Sequence, residues 1–456
     1  MARDPAIAVI DIGKSNGKVA LVDTATRAVI GIRTTANTVR ADGPYPHYDT
    51  ERLWQFILDA LTAFAGTADV TAISVTTHGA CFALTAGTDL TLPIVDYEFT
   101  GLEDVHGDYL RVRGDFSETL SPDLPNGLNA GRQLYWLSRR FPEEFWKADS
   151  ILPYPQYWVA RLSGRRVAEA TSLGCHTDLW NPRAATYSAL VDSEGWRGLF
   201  PPIVKAWDVV GTILPEIAAE TRLPSATRVV AGIHDSNASL LPHLLSRSRP
   251  FAVLSTGTWM VVFAPGGNLD GLDKARDCLA NVDAFGHAVP SARFMAGREY
   301  EIIAGGDVKP SETDAARVIA DRIMALPTFA PGTGPFGDGT GRWSHDPASL
   351  SPGERAAVAS LYAALTAETC LRLAGAEGPV IVEGPFAGNR LFLAALAARV
   401  GRPVIAEPDA TGTTQGAALL VGGPDARPQP PQRTPVAPLA VDLAAYAAAW
   451  SAAAGS

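Results

Sequence analysis

The segment Asp11-Ile12-Gly13-Lys14-Ser15-Asn16-Gly17-Lys18 puts a carboxylate, two ammonium groups and small polar side chains within eight residues. In such a turn, backbone N–H groups, Ser15, Asn16 and a lysine can surround a phosphate while Asp11 holds a hydrated divalent cation. The chain has six lysines, two of them here. A plain solvated hairpin would read the same way. The glycine spacing fits neither a Walker A loop nor a dinucleotide fingerprint.

Asp235 follows an apolar run at 228–233, beside His234. A carboxylate at the C-terminal end of a strand can take the proton of a hydroxyl that attacks phosphorus. It can equally serve as a helix N-cap. Strand alternation points His234 away from Asp235, so the two are not expected to form a dyad. Ser255-Thr256-Gly257-Thr258 offers hydroxyls and backbone donors to a phosphoryl group, or makes an ordinary turn. Gly384-Pro385-Phe386-Ala387-Gly388-Asn389 fits a backbone-lined nucleotide site or a structural turn. His78-Gly79 follows a strand reading, and Asp96-Tyr97-Glu98 adds two carboxylates and an aromatic face of the kind a hydroxyl-rich ligand needs. An exposed loop would also contain such residues.

The elements that must position these groups alternate between the two periods. Residues 6–10 and 18–22 read as a hairpin in which Asn16-Gly17 suits a primed turn. Leu53, Ile57, Leu61 and Phe64 recur at helical spacing, and 70–76 reads as a strand. A second strand–turn–strand signal spans 251–263. Helix 356–373, strand 380–383, helix 391–400, strand 404–406 and helix 415–421 follow it, while 424–438 is too rich in proline for regular structure. A last helix is expected at 443–450. Two hairpin signals about 245 residues apart predict two related α/β domains.

The 456 residues allow roughly three domains or two large ones. A hydrophobic content of 47% against 19% charged excludes wholesale disorder. Lys+Arg 38 against Asp+Glu 48 leaves a charge of −10, which argues against nucleic acid or an anionic membrane as partner. Cys81, Cys175, Cys278 and Cys370 have no ligand-like spacing and read as buried thiols of a reducing compartment. With no secretion signal and no long apolar run, a cytoplasmic protein is expected.

Taken in order, these segments resemble the FGGY family of carbohydrate kinases over about residues 7–422. The carriers are Asp11-Ile12-Gly13, Gly232-Ile233-His234-Asp235, Ser255-Thr256-Gly257-Thr258-Trp259 and the stretch 384–420. The last includes Gly388-Asn389-Arg390, Gly401-Arg402-Pro403-Val404 and Ala410-Thr411-Gly412-Thr413-Thr414-Gln415-Gly416-Ala417. The resemblance implies an α/β fold of two actin-like (ribonuclease H-like) ATPase domains flanking a central cleft. Residues 1–247 would bind sugar and carry the catalytic base, 248–435 would bind ATP, and 436–456 would form a tail, helical in part.

By the same resemblance Asp235 is the base, and Asp11 with Asp235 attends Mg²⁺. Lys14, Ser15, Asn16, Thr256, Gly257 and Thr258 meet phosphate. His78, Asp96, Glu98 and His234 meet sugar, and Gly384 and Asn389 meet ATP. The substrate would be a small ketose, the protein a monomer or homodimer. The wording of 234–235, 255–259 and 281–297 is most similar to the rhamnulokinase and L-fuculokinase branch, which phosphorylates O1 of a 6-deoxy-ketohexose. A ketopentose such as xylulose or ribulose, or a non-catalytic sensor, stays open.

Two departures stand out. Many members have Trp-Asn-Asp where this chain has Tyr97-Glu98-Phe99, so Asp96 or Glu98 would replace the missing carboxylate, and Phe82 or Phe99 would meet a substrate methyl. Lys14 and Lys18 stand where Thr, Ser or Arg is usual, and Lys14, nearer the turn entrance, is expected to touch phosphate.

Overall fold

The computed structural model describes residues 3–337, 339–407, 412–429 and 433–455; Ala410 and Thr411 of the last motif lie outside them. The chain divides into two compact units. One comprises Met1–Ser246 with Asn281–Ala288 and Thr411–Gln429, the other Arg247–Ala280, Val289–Ala410 and Pro430–Ser456. Each is an α/β body built on a seven-stranded mixed sheet, as the alternating elements predict.

In the first unit Pro5–Ile12 pairs antiparallel with Asn16–Asp23, setting Asp11 opposite Lys18 and Ile12 opposite Gly17. Asn16 and Gly17 therefore lie in the second strand and not at the centre of a primed turn. The turn is Gly13–Asn16, where Gly13 N–H donates to Asn16 O at 2.9 Å. Val29–Ala36 extends the sheet on one side, and Asp69–Thr77 runs parallel to the first strand on the other.

Alternation divides the strand residues between two faces. Ala8, Ile10, Ile12, Val19 and Leu21 bury against Leu53, Ile57 and Leu61 of helix Thr50–Ala65. Ile7, Val9 and Ala20 bury against Ala238 and Leu241 of helix Asp235–Ser246 and Ala417 of helix Gly412–Leu419. Those two helices meet closely, because a Cβ on Gly416 would lie 1.7 Å from Ala238 O.

The strand expected at 228–233 is broken into Arg228–Val230 and Ile233–His234. At the break Gly232 has φ +84°, and a Cβ there would stand 2.7 Å from Val75 O, so glycine is required. After this kink the chain enters the helix at Asp235.

In the second unit Ala252–Thr256 lies between antiparallel Met260–Phe263 and parallel Val380–Glu383, with Val404–Glu407 parallel beyond. This matches the arrangement around Pro5–Ile12. Helix Pro352–Leu373 is capped by a reciprocal Ser351–Glu354 box and buried on most sides. Thr434–Pro435 forms a short edge strand against Ile405–Ala406, within the tract expected to be irregular; an edge position leaves the proline's missing donor unused. The terminal helix is Ala444–Ala454, whose Trp450 indole donates to Ala325 O at 2.8 Å. All four cysteines are buried. No helix among the described residues is long and apolar enough to cross a membrane.

Candidate functional site

Because the strand ends at His234 and a helix begins at Asp235, their side chains do not diverge as strand alternation requires. His234 Nε2 lies 3.2 Å from Asp235 Oδ1, so the two expected to point apart are in contact. Asn237 Nδ2 donates to His234 Nδ1 at 3.4 Å, which leaves the ring proton on Nε2, facing the carboxylate. Ser236 N–H (2.6 Å) and hydroxyl (3.3 Å) also donate to Oδ1. Among the described residues Oδ2 accepts no hydrogen bond. Desolvation holds the Asp235 carboxyl above the usual carboxylate range, against the opposing pull of His78 and Ser236. Burial pushes His234 down to about 4, keeping the ring neutral.

A second tier supports this strand end. His234 N–H donates to Thr171 Oγ1 at 3.1 Å, and the Thr171 hydroxyl donates to the buried Glu169 carboxylate, which burial raises to about 7. Cys175 Sγ stands 3.7 Å from His234 Nε2, and Gly79 leaves room for the ring, since a Cβ there would come within 2.9 Å of that nitrogen.

Asp11 projects toward Lys18, its cross-strand partner, at 2.8 Å. Burial raises its carboxyl, Lys18 opposes the rise, and the charge of Asp235 adds to it. Thr76, paired with Asp11 in the parallel ladder, has a buried hydroxyl with no partner among the described residues. The turn itself is pinned by Asn37, whose Nδ2 donates to Gly13 O and whose N–H donates to Ser15 O, both at 2.8 Å.

Lys14 leaves this turn in another direction. Its ammonium contacts Asp96 Oδ1, Glu98 Oε2 at 3.2 Å and the Tyr48 hydroxyl at 3.4 Å. Tyr48 in turn donates to Asp96 Oδ1 at 3.2 Å, as does Glu98 N–H. Asp96 is buried, whereas Glu98 is 64% exposed. His78 packs beside them, its ring 5.1 Å from Tyr48 and 5.5 Å from Tyr97. Burial lowers it to about 4. Nδ1 donates to Gly79 O at 2.9 Å, so Nε2, buried and without a partner among the described residues, is a lone-pair acceptor. Phe82 and Phe99 pack edge-on against Phe200 and Trp136.

In the second unit the Thr256 hydroxyl donates to Glu383 O and accepts from Phe386 N–H at 3.2 Å, tying two loops together. Gly384 has φ +75°, and a Cβ there would sit 2.1 Å from Thr256 O. Gly257 N–H donates to Trp259 O at 2.8 Å, and Thr258 is exposed. Asn389 caps helix Arg390–Val400 through Phe392 N–H (3.0 Å) and donates to Ser360 (3.0 Å), so its side chain is structurally engaged.

Asn37, Tyr48, Glu169, Thr171 and Asn237 are absent from the sequence-derived set. Each is an ordinary polar or aromatic residue locally, and all but Asn237 reach the site across long sequence separations.

Residues 248–430 match the family described as carbohydrate kinase FGGY, C-terminal domain. The chain is similar to the crystal structure of a carbohydrate kinase from Novosphingobium aromaticivorans, with 38% identity and a TM-score of 0.91 over 98% of this chain and 100% of that one. It is 26% identical to a probable L-xylulose kinase of Pasteurella multocida over 56% of this chain and 54% of the relative. It is also 26% identical to an L-fuculokinase of Salmonella typhi, over 58% and 57%. The match spans just over half the length of these two curated relatives.

Proposed function

Because the chain belongs to the FGGY family of carbohydrate kinases, we propose that it transfers the γ-phosphoryl group of ATP to a ketose, with Asp235 as general base. The observation that carries this reading is the Asp235 carboxylate: Oδ1 accepts from the Ser236 N–H and hydroxyl with His234 Nε2 beside it at 3.2 Å, while Oδ2 has no partner among the described residues. The acceptor's primary hydroxyl gives its proton to Oδ2 as its oxygen attacks phosphorus. Desolvation makes the carboxylate a stronger base than a solvated aspartate, and neutral His234 holds its orientation without quenching its charge.

Sugar recognition is assigned to residues 1–247 and nucleotide recognition to 248–435. His78 Nε2 and Asp96 Oδ2 accept hydrogen bonds from further sugar hydroxyls. Ser15 and Asn16 approach the transferred group. The backbone of 256–258 cradles nucleotide phosphate, and Gly384 lets the chain pass close to Thr256, next to adenosine.

Asp11 and Asp235 suit a divalent cation. Both carboxylates are desolvated, and their mutual repulsion raises Asp11, a cost that a bound cation offsets. When bound, Mg²⁺ supplies positive charge to the nucleotide phosphates.

We assign the sugar to the 6-deoxy-ketohexoses, such as L-rhamnulose or L-fuculose, in keeping with the L-fuculokinase relative. The L-xylulose kinase relative supports a ketopentose as the second reading. ADP release measured with Mg-ATP over L-rhamnulose, L-fuculose, L-ribulose, D-xylulose and D-ribulose separates the two. Sugar binding without ADP release from any of the five would reject a kinase in favour of a sensor.

A further inference from the structure

The Lys14 ammonium donates to Asp96 Oδ1 and to Tyr48 Oη at 3.4 Å, and pairs with Glu98 Oε2 at 3.2 Å. The faces of Tyr48 and Tyr97 lie 5.3 and 4.7 Å from Nζ, enclosing the charge in two aromatic rings. The charge is thus engaged by two carboxylates and a phenol, although Lys14 arises from the turn where phosphate is expected.

What the contacts do is orient Asp96. Lys14, the Tyr48 hydroxyl and Glu98 N–H all converge on Oδ1, so Oδ2 carries no hydrogen bond among the described residues. Tyr97, which covers the ammonium, also stands edge-on to His78, whose Nε2 is a second acceptor without a partner among the described residues. Lys14 thus ties together the groups that would read two hydroxyls of one molecule.

We propose that Lys14 is a specificity-determining positioning residue of the acceptor subsite: it clamps Asp96 so that Oδ2 and His78 Nε2 present a pair of fixed acceptors to vicinal hydroxyls. The inference rests on the sugar-kinase reading for the identity of the ligand. It assigns Lys14 to the sugar, whereas a role on the transferred phosphate would assign it to the nucleotide.

The test compares wild type with Lys14→Met, which keeps the stem and removes the charge, and Lys14→Arg, which restores it. L-Rhamnulose, L-fuculose, L-ribulose, D-xylulose and D-ribulose are titrated by intrinsic fluorescence without nucleotide, and Mg-ADP by calorimetry without sugar. Lys14→Met is expected to weaken binding of the sugar that wild type prefers by about tenfold or more, as loss of a charge-assisted anchor implies. Mg-ADP affinity should stay within twofold of wild type, and Lys14→Arg should recover part of the sugar affinity. KM for the sugar should rise accordingly while KM for ATP holds.

A tenfold loss of Mg-ADP affinity, or unchanged sugar affinity, overturns the proposal. If Lys14→Met melts early, Glu98→Gln at the exposed end of the clamp gives the same split in a smaller measure, and no change in sugar affinity there counts against the clamp. Should wild type bind none of the five, the sugar-kinase reading fails on its own account. The nucleotide titration then still separates a phosphate-binding lysine from one that leaves phosphate alone.

Discussion

The two turns that open the two sheets share a place in the topology and differ in what holds them. Gly13–Asn16 is pinned by Asn37, and the side chains around it form ion pairs, Lys14 with Asp96 and Glu98 and Lys18 with Asp11. The turn after Ala252–Thr256 is held by close backbone approach and one buried hydroxyl, with Gly384 so near that a Cβ would sit 2.1 Å from Thr256 O. Changes around the first turn should therefore alter recognition and rate, and changes at the second should alter stability.

The largest effect expected is on chemistry in the first unit. Asp235→Asn should lower kcat by about 10³-fold, the scale of a lost general base. Its folded-state carboxyl is raised above 3.8, so the charged form at neutral pH opposes folding, and the amide should melt no lower than wild type. Near-parental turnover, or a clear fall in Tm, would break the separation of rate from stability.

Next comes Gly384→Ala in the second unit. The added methyl meets a backbone oxygen at 2.1 Å and φ is positive, so a loss of about 2–3 kcal/mol in urea unfolding is expected. An unchanged midpoint would show that the second turn is as tolerant as the first.

The smallest effect sharpens the comparison within the first unit. Glu169 has a folded pKa of about 7 against an ordinary value of 4.5. A raised carboxyl favours the protonated form, so its contribution to stability is present at low pH and is lost as pH rises from 4.5 through about 7. Glu169→Gln should gain in Tm relative to wild type across that window and hold its lead above it. A difference that stays flat from pH 5 to 8 would refute the assignment.

Much of the framework was legible because strong apolar runs and helical spacing are local. The strands around Asp11 and Thr256, the helix carrying Leu53, Ile57, Leu61 and Phe64, and the Gly384 turn could all be read this way. Val29–Ala36 escaped because it is largely exposed, its Ile30 and Ile32 lying on the surface, and Gly31 interrupts its short apolar start. Asp11, His78 and Asp235 were visible as chemistry at strand ends and Asp96 as a carboxylate beside an aromatic, but their partners were not. Tyr48 is an unremarkable residue until the chain brings its hydroxyl to Asp96, and Asn37 is so until it reaches Gly13.

By itself the sequence determined the hairpins, the family signature and the acid at position 235, since each depends on neighbours within a few residues. Only the tertiary structure decided that Lys14 faces carboxylates, that His234 turns back onto Asp235 and that Asn389 is occupied as a cap. A hydrogen bond depends on distances of a few tenths of an ångström, here between groups as far apart in sequence as Lys14 and Asp96 or Thr256 and Glu383, and no local pattern encodes that.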